Sequence, residues 1–153
     1  LELGHQVDIV VPSARLAARC RANAPGARVH ECRFEDFNGS GPYDLCLFSE
    51  SFQYIALDYG LKRCLGLLKP GGHVLLADCF RTGDERTADG KRATGGGHLI
   101  ERFRAELDSL PYARLHEADI TDPNDTALTR IRCGASARAI DRVICSIAAE
   151  AIE

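Results

Sequence analysis

Apolar positions along the chain form two short runs joined by a stripe. Leu45 to Phe48 is a continuous apolar run, bounded by Gly41-Pro42 before it and by the polar Ser49-Glu50-Ser51 after it. That is the pattern of a buried parallel strand ending at a ligand crevice. Leu61, Cys64, Leu65 and Leu68 then recur at helical spacing and predict a helix with one apolar face. Lys69 falls in its last turn, Pro70 stops it, and Gly71-Gly72 reverse the chain. Val74 to Ala77 reads as a second buried strand, closing on Asp78. A strand-helix-strand unit of this kind is parallel, with a right-handed crossover.

Upstream, Leu1 to Val11 reads as a helix end, a Gly4 cap and an apolar strand. Pro12-Ser13 opens a helix, with Ser13 the N-cap before A-R-L-A-A-R-C. A turn at Ala24-Pro25-Gly26 precedes a short strand from Arg28 to about Cys32, and Asn38 to Gly41 is polar and flexible. Downstream of Phe80 the chain turns polar and Gly-rich. Residues 81–98 are expected to form a mobile segment, with Gly95-Gly96-Gly97 as a hinge. Those glycines are no phosphate loop, because no strand precedes them and no Gly-Lys-Ser/Thr follows. Leu99, Phe103 and Leu107 predict a helix, and Tyr112 to Ala118 a strand. A turn over residues 119–124 then leads into Ala127 to Cys133. In the last segment, Ala139, Ile140, Val143, Ile144, Ile147 and Ala148 form a stripe that predicts a terminal helix over residues 136–152. Such a helix would cover a pocket or pair two copies into a homodimer.

D-L-C-L-F-S-E-S-F-Q-Y-I followed by L-L-K-P-G-G-H-V-L-L-A-D resembles the second half of a class I S-adenosylmethionine-dependent methyltransferase. The resemblance implies a Rossmann-like, doubly wound, mostly parallel α/β sheet in a single domain over residues 1–153, with a strand near Tyr112 at its antiparallel end. It implies S-adenosylmethionine as cofactor, with contacts at Val11, Pro12, Cys32, Arg33, Glu35, Asp36, Ser49 and Glu50, and a methyl acceptor near Tyr54 and Arg81, with the segment 81–98 on the substrate side. Two positions depart from the family pattern. Val11 stands where an acidic residue usually binds the ribose hydroxyls, and Cys32 where one usually meets the adenine, with Glu35 and Asp36 just beyond. Each of these acids also reads as a solvated loop residue, and Ser49 or Ser51 as a helix cap. The family's first strand and glycine-rich loop would precede Leu1. That strand is central in the usual sheet, so its loss would leave a gap with unpaired edges. We therefore expect it to lie outside this sequence, which begins at Leu1 and contains neither Met nor Trp.

Composition narrows the function further. A length of 153 residues suits one domain, and a formal net charge of −3 with mixed signs makes no electrostatic case for nucleic acid. No apolar run approaches the roughly 18 residues of a membrane span, and no signal peptide is visible. Seven cysteines, scattered and without C-x-x-C, suggest reduced, buried thiols in a cytoplasmic protein without a metal site. Methyl transfer from a sulfonium is an in-line displacement, and a base near neutral pKa helps when the acceptor is a hydroxyl or amine. His98, beside the Gly hinge, is the candidate base; the competing reading is a capping or packing histidine. His5, His30, His73 and His116 show no partner in the sequence. The expected activity is O- or N-methylation of a small molecule. One alternative is a degenerate methyltransferase-like scaffold, supported by Val11 and Cys32. A nucleotide-cofactor oxidoreductase would need G-x-G-x-x-G and a ribose acid, and the sequence shows neither.

Overall fold

A computed structural model describes residues 4–39, 41–81 and 97–117 in full, and 129–133 and 142–147 as backbone. The chain runs β1 (Gln6–Val10), α1 (Ala14–Asn23), β2 (Arg28–His30), β3 (Tyr43–Ser49), α2 (Leu57–Leu67), β4 (Leu68–Ala77), β5 (Phe80–Arg81), β6 (His98–Leu99), α3 (Ile100–Asp108), β7 (Tyr112–His116), β8 (Thr129–Cys133) and β9 (Arg142–Ile147). Seven strands form one sheet in the order β2-β1-β9-β3-β4-β8-β7, and β5 pairs with β6 apart from it. From β2 to β4 every pairing is parallel, while β8 lies antiparallel to both β4 and β7. The antiparallel end is where the resemblance puts it.

Alternation along the strands sends their apolar residues to two faces. Ile9 and Val11 pack with Ala17 of α1 on one face. Val10, Cys46, Phe48, Val74 and Leu76 face the other, under Leu61, Cys64 and Leu67 of α2 and Phe103 and Leu107 of α3. Burying about ten such large side chains, at roughly 1.5–3 kcal/mol each, is the main force holding both layers on the sheet. Ser13 caps α1 as expected, its Oγ accepting the Leu16 N–H at 3.4 Å. Helix α2 stops at Leu67, short of Lys69, because Leu68 already pairs with Tyr43. Gly71, at φ +82°, turns the chain there, and Lys69 Nζ donates to Asp44 Oδ2 at 2.9 Å instead of closing the helix.

The terminal helix expected over residues 136–152 is corrected. Residues 142–147 form β9, which pairs in parallel with β1 from Gln6↔Arg142 to Val10↔Ser146 and with β3 from Leu45↔Val143 to Ser49↔Ile147. This central slot is the one that loss of the family's first strand would leave open. A strand there satisfies two rows of backbone groups at once, a gain no surface helix offers. The stripe we expected to present to a second copy is therefore mid-sheet, and residues 136–141 and 148–152 lie outside the described set. So do residues 82–96 of the expected mobile segment. Its two ends are held together by Phe80↔His98 and Arg81↔Leu99.

Two parallel strand-helix-strand units run outward from the centre, β1-α1-β2 to one side and β3-α2-β4 to the other. Their helices cover opposite faces. The point where the winding reverses lies at the carboxyl ends of β1, β9 and β3, which is where open α/β sheets place their ligand crevice. Among the described residues no helix is long and apolar enough to cross a membrane.

Candidate functional site

The crevice edge is built from the residues at the exit of each parallel strand: Val11-Pro12 after β1, Glu31-Cys32 after β2, Glu50-Ser51 after β3 and Asp78-Cys79 after β4. Glu50 is exposed and holds φ +50°, a left-handed backbone that disfavours a side chain. Its N–H donates to the Ala77 carbonyl at 2.7 Å, tying the β3 exit to the β4 exit. Ser51 makes no side-chain cap for the short 3₁₀ turn at Phe52–Tyr54. Asp78 supplies the cap from across the sheet. One carboxylate oxygen takes the Phe52 N–H at 2.6 Å and the Gln53 N–H at 3.2 Å; the other takes the Cys79 N–H at 2.8 Å. Burial pushes the Asp78 carboxyl above its ordinary range, outweighing those three N–H groups and the nearby His98, which favour the anion.

His98 sits on β6, two residues before α3 begins, half-buried, with Nε2 3.1 Å from the Phe52 carbonyl. Its ring meets Phe52 edge-on at 5.7 Å. Phe52 in turn packs edge-on against Phe48 at 5.1 Å, and Phe48 against Phe34 at 5.1 Å. This aromatic chain forms a rigid floor from the exit of β2 to β6. Arg81 is bound beside it, its Nε donating to the Gly97 carbonyl at 3.0 Å.

The structure brings Glu50, Tyr54, Arg81 and His98 to one region, the loop after β3 and the β5–β6 pair. Tyr54 is 52% exposed. Ser49 is exposed beside Glu50. The adenine-side candidates collect separately after β2. Tyr59 Oη donates to the Glu35 carbonyl at 3.1 Å and Arg63 to the Phe37 carbonyl at 2.6 Å, so α2 holds that turn in place. Arg33 and Glu35 pair with each other at 3.1 Å, and Asp36 is exposed. Burial first, then the Asp36 charge, pushes the Cys32 thiol up, so it stays protonated.

S-adenosylmethionine fits this edge in part. Glu50 offers a carboxylate at the β3 exit, and Asp36 another beyond β2. Val11 offers the ribose nothing from its side chain, which is fully buried, and its N–H is spent on the His30 carbonyl at 3.0 Å. Pro12 is exposed.

Three features of this region were not anticipated from the sequence. Asp78 read only as a strand end. His30 has a partner: Asp8, 2% exposed on β1, accepts from Arg28 and lies 2.7 Å from His30 Nε2. Burial works to raise the Asp8 carboxyl, but the His30 and Arg28 hydrogen bonds and charges outweigh it and hold it below the ordinary range. The third is Cys79, an exposed thiol where buried ones were expected; Cys46 and Cys64 are buried.

Comparison with solved structures identifies the architecture. The SAM-dependent O-methyltransferase of Thermotoga maritima superposes with a TM-score of 0.51 at 10% identity, over 91% of this chain and 63% of that one. The fold is that of the class I methyltransferases. This chain thus spans less than two thirds of that methyltransferase's length. A Pseudomonas syringae protein assigned provisionally to the methyltransferases aligns at 18% identity over 88% of this chain and 91% of its own, with a TM-score of 0.47, too low to bear on the fold. No family model and no curated protein matches the sequence. Among the described residues β9 takes the central place in this sheet, between β1 and β3.

Proposed function

We propose that the chain carries out S-adenosylmethionine-dependent methyl transfer to the hydroxyl or amine of a small cytoplasmic molecule. The observation that carries this reading is the reversal of winding between β1 and β3, with Glu50, Tyr54, Asp78 and His98 gathered at the strand ends beside it. S-adenosylmethionine, when bound, supplies an electrophilic methyl group on a sulfonium. Glu50 would hold its ammonium through a charge-assisted hydrogen bond. Asp36, kept in place by α2, would meet the adenine end. Tyr54 and Arg81 would border the acceptor. The hydroxyl chemistry is favoured by the likeness to the Thermotoga maritima O-methyltransferase, and the small acceptor by a net charge of −3 without a basic stripe.

A scaffold without activity is the second reading, and buried Val11 favours it. Titration with S-adenosylhomocysteine by calorimetry separates the two. The enzyme reading expects saturable binding, weakened by Glu50→Gln, and a chain that shows no binding heat would be left with the scaffold reading alone.

A further inference from the structure

The Phe52 carbonyl and the Gln53 N–H belong to one peptide group. His98 Nε2 lies 3.1 Å from that carbonyl, and Asp78 Oδ2 takes that N–H at 3.2 Å. One peptide therefore stands between a carboxylate and an imidazole, gripped at both ends. A carbonyl has no proton to give, so the ring nitrogen facing it must carry one. Neutral His98 is then the Nε2–H tautomer, and its lone pair is on Nδ1. A carboxylate at the N–H end polarises the peptide and makes its carbonyl a stronger acceptor. The edge-on contact with Phe52, itself in edge-on contact with buried Phe103 at 6.4 Å, limits rotation of the ring.

We propose that His98 takes the acceptor's proton at Nδ1, and that Asp78 positions it by acting through the Phe52–Gln53 peptide. This rests on the methyltransferase reading above. The acceptor O–H or N–H bond breaks and its proton goes to Nδ1. The acceptor lone pair forms the new bond to the methyl carbon. S-adenosylmethionine, held through Glu50, would supply that methyl group, its sulfonium sulfur keeping the electron pair of the bond that breaks. The imidazolium so formed keeps its Nε2–H on the Phe52 carbonyl, with the Asp78 charge beyond it.

The test starts with a signature independent of activity. Long-range nitrogen–proton NMR of the imidazole, at a pH where His98 is neutral, is expected to show the Nε2–H tautomer; a dominant Nδ1–H tautomer overturns the proposal. Asp78→Ala is expected to raise the Nδ1–H population and to speed amide exchange at Gln53, with Asp78→Asn restoring much of both. An unchanged tautomer ratio in Asp78→Ala removes Asp78 from the account. His98→Gln keeps a donor at the Nε2 position but supplies no base. It should therefore retain slow exchange at Gln53 and wild-type S-adenosylhomocysteine affinity while turnover falls by about 100-fold or more. Wild-type turnover in His98→Gln overturns the base. A chain with the expected tautomer that binds no S-adenosylhomocysteine overturns the proton-transfer step together with the methyltransferase reading, whereas binding with the wrong tautomer overturns only this inference.

Discussion

Glu50→Gly separates the backbone cost at the β3 exit from the chemistry of the carboxylate it carries. At φ +50° a non-glycine residue sits in left-handed space at a cost of about 1–2 kcal/mol. Glycine removes that cost but loses about 0.5–1 kcal/mol more conformational freedom on folding. The Glu50 side chain is exposed, and the N–H bond to Ala77 survives the change, so no packing is lost. The net expectation is a gain of between about 0 and 1.5 kcal/mol, at roughly 2–4 °C in Tm per kcal/mol for a domain of this size. Glu50→Ala keeps the backbone cost and should stay within about 0.5 kcal/mol of the natural protein. Both variants remove the carboxylate, and loss of a charge-assisted bond at an exposed edge, about 1.4 kcal/mol, predicts about tenfold weaker S-adenosylhomocysteine binding. Urea unfolding and calorimetric titration of the three proteins read both quantities. Wild-type affinity in both variants refutes the cofactor role of Glu50. A marked loss of stability in Glu50→Gly refutes the assignment of backbone strain.

Buried contacts set the other expectations. Asp8→Asn should cost about 2 kcal/mol at neutral pH, since it weakens two charge-assisted bonds although Arg28, exposed, can rehydrate. Because the folded Asp8 value lies below the ordinary 3.8, its contribution is present above that pH and is lost as pH falls through the folded value. The gap in urea midpoints should therefore close in acid, and a gap that persists unchanged would contradict the ion-pair account. Asp78 carries the opposite sign. Its raised carboxyl makes the protein lose stability as pH rises from 3.8 through the folded value. Asp78→Asn should flatten that decline, and an unaltered pH profile would count against it. Phe103→Ala, at a fully buried position touching Phe52 and Phe80, should cost about 3–5 kcal/mol by urea unfolding. A cost near zero would mean that α3 does not seal the floor of the crevice.

The strands were legible where local pattern and tertiary need agree. Leu45 to Phe48 and Val74 to Ala77 are apolar on both faces and bounded by turn residues, so only a buried parallel strand suits them. Ser13 signalled the start of α1 because capping is decided within three residues. The run Val143 to Ile147 failed because its β-branched residues fit a helical stripe and a short buried strand equally well, and the open slot between β1 and β3 decided for the strand. Asp8 with Arg28 and His30 left a faint signal: an acid inside an apolar strand, then an arginine and a histidine at alternate positions of the next strand, which a parallel register brings side by side. Asp78 left none, since its partners Phe52 and Gln53 are backbone groups on another strand's exit. Of the candidate site, Glu50, Tyr54, Arg81 and His98 were readable and gather in one region, whereas the contacts that hold them there were not.

The central claim is that this fold presents a cofactor crevice at the carboxyl ends of its parallel strands, and amide-shift mapping of S-adenosylhomocysteine on the labelled protein tests it most directly. The account predicts saturable shifts at Ser49, Glu50, Phe52, Asp78 and His98, extending to Val11 and Asp36. Shifts confined to β7 and the outer face of α3, or none at saturating ligand, would contradict it.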